Sequence, residues 1–175
     1  MNENNFITVP YTRELQLKLS QTFSCGNVNI DMFIKSPESL DTLFGKTYIL
    51  YSENELIGYY NISTGHIEHT SDNISERQGG SLYLNYFAIN DKFQKIKYNE
   101  NWYISDWLLM DCISRAIYIQ ENIVGFSFIA LSSTEEGLHL YKRNGFEELD
   151  DDMRFVKNRG EEPCKAMFLA MDFEE

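Results

Sequence analysis

The chain has 175 residues, 43% of them hydrophobic and 14% aromatic, enough for one domain spanning 1–175 with a substantial core. No apolar run approaches the roughly 20 residues of a membrane span, and the polar start Met1-Asn-Glu-Asn-Asn has no signal-peptide core. A formal charge of −12 makes nucleic acid an unexpected partner, because affinity for phosphate comes from lysine and arginine displacing counterions. It suits a cationic substrate or, equally, a solvated acidic surface. Cys25, Cys112 and Cys164 are scattered and odd in number, which reads as reduced thiols in a cytoplasmic protein.

Phe6-Ile-Thr-Val9 has the pattern of a short strand closed by Pro10, and Thr12 is placed to cap a helix carrying Leu15, Leu17 and Leu19. Cys25-Gly26-Asn27-Val28-Asn29 is a turn before a second short helix around Ile30 to Ile34. Thr47–Tyr51 and Leu56–Ile62 are strands joined by the polar Ser52-Glu-Asn-Glu55, an antiparallel hairpin. From Gly65 to Gly80 the chain is polar and reads as a long surface loop. Ser81–Ile89 is the next strand, and Ile104–Ile119 is a helix apolar on nearly every side, hence buried. Gly125–Ser132 is apolar enough for a strand covered on both faces. Strand, helix and strand in that order predict a right-handed crossover between parallel neighbours. Ala166–Met171 is a last strand, expected antiparallel to the region near Phe146.

The segment after Ser132 is the most heavily punctuated in the chain. Ser133-Thr-Glu-Glu136 matches a capping box and predicts a helix of about three turns. Asn144-Gly145 supplies a left-handed stop, after Lys142 and Arg143 at the negative end of the dipole. A helix bounded in this way holds Tyr141 in one place.

This ending, Tyr141-Lys-Arg-Asn-Gly145-Phe146 with the small Gly137 four places earlier, resembles the closing motif of the GNAT superfamily of N-acetyltransferases. The Cys25-Gly26-Asn27 turn is similar to one that precedes a substrate-flanking helix in some members, including toxins that acetylate charged transfer RNA. The resemblance spans nearly the whole chain. It implies an α/β (α+β) fold, a mixed and twisted central sheet with helices on both faces and a splayed parallel strand pair. It also implies acetyl-CoA as cofactor, its arm lying between the splayed strands as a pseudo-strand. The main chain of Phe87, Ala88 and Ile89 would bond the arm and the acetyl carbonyl, with Ser132 and Thr134 on the facing strand and turn. Tyr141 would be the proton donor to the departing thiolate. A phenol has a reference pKa of about 10 and so keeps a proton to give, although a tyrosine on a short helix can also be packing alone.

The pyrophosphate loop departs from the family pattern. Where members usually carry Gln/Arg-x-x-Gly-x-Gly/Ala before the buried helix, this chain has Glu100-Asn-Trp-Tyr103-Ile-Ser105. Two substitutes are available: the side chains of Lys92, Lys95 and Lys97, or the main-chain N–H groups of Tyr103, Ile104 and Ser105, with Ser105 capping the helix. The lysines are equally readable as solvated loop residues. No general base stands out among His66, Glu68, His69, Tyr83 and Asn85, and His66-x-x-His69 lacks a third metal ligand nearby.

The leading expectation is acetyl transfer to a small-molecule or protein amine. The rivals are a GNAT-fold binding module that has lost its cofactor site, as the missing glycines suggest, and a toxin-like protein that acetylates charged transfer RNA, against which the charge of −12 weighs. A homodimer using the aromatic-rich strands as interface is a further option.

Overall fold

Helix caps organise the start of the chain. The computed structural model describes residues 6–72, 74–151, 153–156 and 164–171, and the chain divides into two compact units, Met1–Ile62 with Tyr86–Asp111 and Ser63–Asn85 with Cys112–Glu175. In the first, α1 (Arg13–Leu19) starts where Leu15 N–H donates to Thr12 Oγ1 at 3.3 Å, as the sequence predicts. The second helix, α2 (Val28–Lys35), starts at Asn27, whose Oδ1 accepts from the N–H groups of Asn29 and Ile30. Gly26, at φ 89°, makes the preceding bend, and Cys25 N–H donates to Asp31 Oδ1 at 2.8 Å. The Cys-Gly-Asn turn is thus a helix-starting device.

The first strand is shorter and later than expected. β1 (Val9–Pro10) pairs antiparallel with β2 (Lys46–Ser52), Val9 opposite Ile49. Pro10 lies inside it, which an end strand tolerates because one row of its amides has no sheet partner. β2 and β3 (Glu55–Ser71) form the expected hairpin, from Lys46↔Ile62 to Ser52↔Glu55. The core of this unit gathers Tyr11, Leu19, Phe23, Phe33, Ile34, Ile49, Leu56, Tyr59 and Ala88. Tyr59 has no exposed surface, yet its hydroxyl donates to Ile30 O at 2.8 Å, so burial leaves that polar atom paired.

The polar stretch 65–80 is not a loop. β3 continues to Ser71, the chain turns at Asp72 (φ 49°), and β4 runs from Ile74 to Ile89. The β4 arm is exposed from Ile74 to Gln78 and the β3 arm is mostly half-buried polar residues around the buried Ile67, so no apolar alternation marks them. Their backbone is instead held by pairing, including β3 with β7 (Met153–Val156) from His66↔Val156 to His69↔Met153. Gly79, read as a loop end, sits within β4 because a Cβ there would come within 2.9 Å of the Phe128 ring.

β4 pairs in parallel with β5 (Phe128–Ser133), as the crossover pattern predicts. Between them runs α3 (Ile104–Asn122), with Leu108, Leu109, Cys112 and Ala116 fully buried. β5 starts three residues later than expected. It pairs antiparallel with β8 (Lys165–Ala170), and β8 pairs with β6 (Glu147–Glu148) next to Phe146. The strand order is β1-β2-β3-β4-β5-β8-β6, with β7 on β3: a mixed sheet with one parallel pair. Among the described residues no helix is long and apolar enough to cross a membrane.

Gly58 sets how closely β3 and β4 approach, since a Cβ there would lie 2.7 Å from Ala88 O and 3.0 Å from Leu108 Cδ2. A main-chain oxygen cannot swing aside as a side chain can. Gly58→Ala is therefore expected to cost about 1–3 kcal/mol of stability, read from the urea midpoint; an unchanged midpoint would show that the strands separate freely.

Candidate active site

Tyr141 lies on α4 (Leu138–Arg143), which is shorter than the capping-box pattern predicts. Ser133 remains in β5, opposite Lys165 of β8, and its hydroxyl donates to Thr134 O at 2.7 Å instead of accepting from a helix amide. Sheet pairing wins over the cap. A turn follows, in which Gly137 N–H reaches Thr134 O at 3.1 Å, and the helix begins only after Gly137.

Its C-terminal end matches the expectation closely. Gly145 N–H donates to Lys142 O at 3.2 Å and Phe146 N–H to Tyr141 O at 3.1 Å, with Gly145 at φ 89°. This is a Schellman motif, and its usual apolar contact is here the Tyr141–Phe146 ring pair, 5.6 Å between centroids at 65°. The Tyr-x-x-x-Gly-Phe spacing has a local physical cause: one residue terminates the helix and the two aromatics clamp the termination. Gly137 completes the seat, because a Cβ there would lie 3.3 Å from the Tyr141 ring and 2.9 Å from Ser133 Oγ. Tyr141 is 8% exposed. Burial, and secondarily the neighbouring Cys112 and Tyr83, pushes its phenol well above the usual tyrosine range.

The parallel ladder of β4 and β5 runs from Ser81↔Phe128 to Leu84↔Leu131, and among the described residues it has no further rung. β4 nevertheless continues through Asn85 to Ile89. Near the last rung Tyr83 Oη and Ser132 Oγ share a hydrogen bond of 2.8 Å. Burial raises the Tyr83 phenol and the Ser132 bond partly offsets this. Asn85 Nδ2 donates to Ser63 Oγ at 2.9 Å. Of the expected residues, Ser132, Thr134 and Tyr141 fall in the second unit. Phe87, Ala88 and Ile89 fall in the first, as do Lys95, Lys97, Tyr103, Ile104 and Ser105.

The start of α3 engages part of the expected phosphate cradle internally. Tyr103 N–H donates to Asp106 Oδ2 at 2.9 Å, and Ile104 N–H donates to Ile96 O at 3.0 Å. Two of the three amides expected to face a ligand therefore have internal partners. Ser105 is not the cap: Trp107 N–H and Asp106 N–H both return to Tyr103 O, so Tyr103 holds that position. Asp106 reaches back as the acid of a capping box does, a function readable from its place three residues after Tyr103 but missed beside the more conspicuous Ser105. Nor do the lysines act as a trio. Lys92 pairs with Glu55, Lys97 Nζ donates to Glu100 O at 3.3 Å, and Lys95 is exposed.

Other expected groups take structural places. His66 Nε2 and Glu68 Oε1 are 2.9 Å apart on β3, and His139 is exposed on α4. Among the described residues no group of three or more His, Cys, Asp or Glu could hold a metal. The Cys25 thiol is pushed up to about 12, chiefly by burial, which removes it as a nucleophile near neutrality. A cleft of ≈ 580 Å³ lined by Thr22, Ser52–Glu55, Lys92 and Phe93 contains Lys92 but no other residue expected to bind a cofactor.

This architecture is the GNAT fold that the closing motif resembles. No protein-family model and no curated protein matches the chain, but solved structures do. A structure described as a bacterial toxin matches with a TM-score of 0.69 at 20% identity, over 95% of this chain and 90% of that one. AtaTR bound with AcCoA matches with a TM-score of 0.70 at 18% identity, over 94% and 93%. AtaT complexed with acetyl-methionyl-tRNAfMet matches with a TM-score of 0.68 at 17% identity, over 95% of both chains. At these identities the likeness defines the fold.

Three buried phenols set an alkaline limit. Burial pushes Tyr11 up to about 12 and raises Tyr59 and Tyr141 well above the usual tyrosine range. A raised folded-state pKa means that the unfolded chain loses its phenol protons first. The stabilisation is complete below about pH 10 and is lost as pH rises from there through the folded-state values. Urea titrations at pH 8, 9, 10 and 11 should give a flat midpoint up to pH 9 and a steep fall above 10; a midpoint flat to pH 11 would mean that these phenols ionise in the folded state.

Proposed function

We propose that residues 1–175 act as one acetyl-CoA-dependent N-acetyltransferase with a primary amine as acceptor. The observation that carries this reading is the seat of Tyr141, a buried phenol clamped between Gly137 and Phe146 at the end of α4. Acetyl-CoA supplies an activated acetyl group, whose carbonyl carbon bonds to the amine nitrogen as the carbon–sulfur bond breaks. The residues proposed to hold it are the main chain of Phe87–Ile89, with Ser132 and Thr134 of the following strand and turn. Tyr141 keeps its proton at neutral pH, gives it to the departing sulfur and recovers one from solvent, while the amine loses its proton to water. Most of the rate comes from positioning the two reactants.

Among acceptors, one neighbour favours a second, finer reading. AtaT is described in complex with acetyl-methionyl-tRNAfMet and shares this chain's fold along nearly its full length. The aminoacyl amine of a charged tRNA therefore joins polyamines, amino sugars and lysine-bearing proteins as an acceptor to test. The charge of −12 alone does not remove nucleic acid from that set.

Transfer of labelled acetyl from acetyl-CoA to a panel of these four amine classes tests the proposal. With the best acceptor, Tyr141→Phe should lower kcat by about 10²-fold or more. Its thermal midpoint and donor affinity should stay close to the parent's, since one hydroxyl is lost and the ring clamp remains. Equal kcat would return Tyr141 to a packing role. Donor binding with no transfer to any amine would favour a binding module.

A further inference from the structure

We propose that the chain reads its acyl donor at the pantetheine thioester end, and that the start of α3 takes no part in holding the donor's diphosphate; this rests on the acetyl-transfer reading above. A diphosphate held at a helix start requires outward-facing amides and an uncompensated positive dipole end. Here two of the amides are already engaged and a carboxylate lies against the dipole end. The Tyr103 and Ile104 amides are taken by Asp106 Oδ2 and Ile96 O. Asp106, only 4% exposed, sets a carboxylate against the dipole end where the phosphates would otherwise lie.

Charge on the preceding loop does not compensate. Residues 91–106 carry Lys92, Lys95 and Lys97 against Asp91, Glu100 and Asp106. Lys92 is paired to Glu55 and Lys97 donates to Glu100 O. Tyr103 and Ser105 also bear side chains where glycines would let phosphate approach the backbone. Recognition then falls on the uncharged amide-bearing arm, for which main-chain groups suffice.

Calorimetric titration of the full chain with coenzyme A, with pantetheine and with the phosphoadenosine diphosphate half of coenzyme A separates the contributions. The proposal expects coenzyme A and pantetheine to bind within about tenfold of each other, and the nucleotide half to give no heat and displace nothing at about 1 mM. A preference for coenzyme A above about 100-fold, or its displacement by micromolar nucleotide half, would overturn this inference and leave the transfer reading standing. Binding of neither coenzyme A nor pantetheine would overturn both.

Discussion

A parallel ladder of four rungs, Ser81↔Phe128 to Leu84↔Leu131, is the constraint on which the proposed chemistry depends. Parallel strands need a crossover, and the buried helix α3 provides it, so the strand pair and helix form one unit of supersecondary structure. β4 continues to Ile89 while β5 ends at Ser133 and is committed on its other side to β8. The residues proposed to bond the donor's arm, Phe87 to Ile89, lie on β4 past this last rung.

The second constraint is local. A six-residue helix has little stability of its own, and α4 keeps its orientation through its C-terminal lock. The left-handed Gly145, the two reversed amide bonds and the Tyr141–Phe146 contact fix the helix end and the phenol together. An aromatic pair of this kind contributes about 0.5–1.5 kcal/mol beyond its buried area. The same residues thus serve stability and place a proton-bearing group, which explains why the spacing between tyrosine and glycine carries so much functional information.

Much of this was legible in the sequence because its causes are short-range. Gly145 and Phe146 act on a tyrosine four and five residues away, Asn27 caps its own helix, and the apolar residues of α3 announce one buried face, although Ser114 and Tyr118 are exposed. The misreadings share a different cause, partners distant along the chain. The arms of β3 and β4 looked like loop because their faces are polar, although β7 and the hairpin itself pair their backbones. Ser133 looked like a cap until β8 claimed it for the sheet. Three amides at the start of α3 looked available to phosphate, yet Ile96 closes that of Ile104 and Asp106 that of Tyr103. Composition says nothing about such competition; only the folded register does.

The central claim is that the part of β4 beyond its last rung receives the acyl donor's arm. Residue-resolved amide hydrogen exchange with and without saturating acetyl-CoA tests it most directly. The account predicts protection of Phe87, Ala88 or Ile89 by about tenfold or more on binding, with the Tyr103 and Ile104 amides unchanged because their internal partners already protect them. Binding without protection anywhere in 85–89, or with protection centred on 103–105, would contradict it.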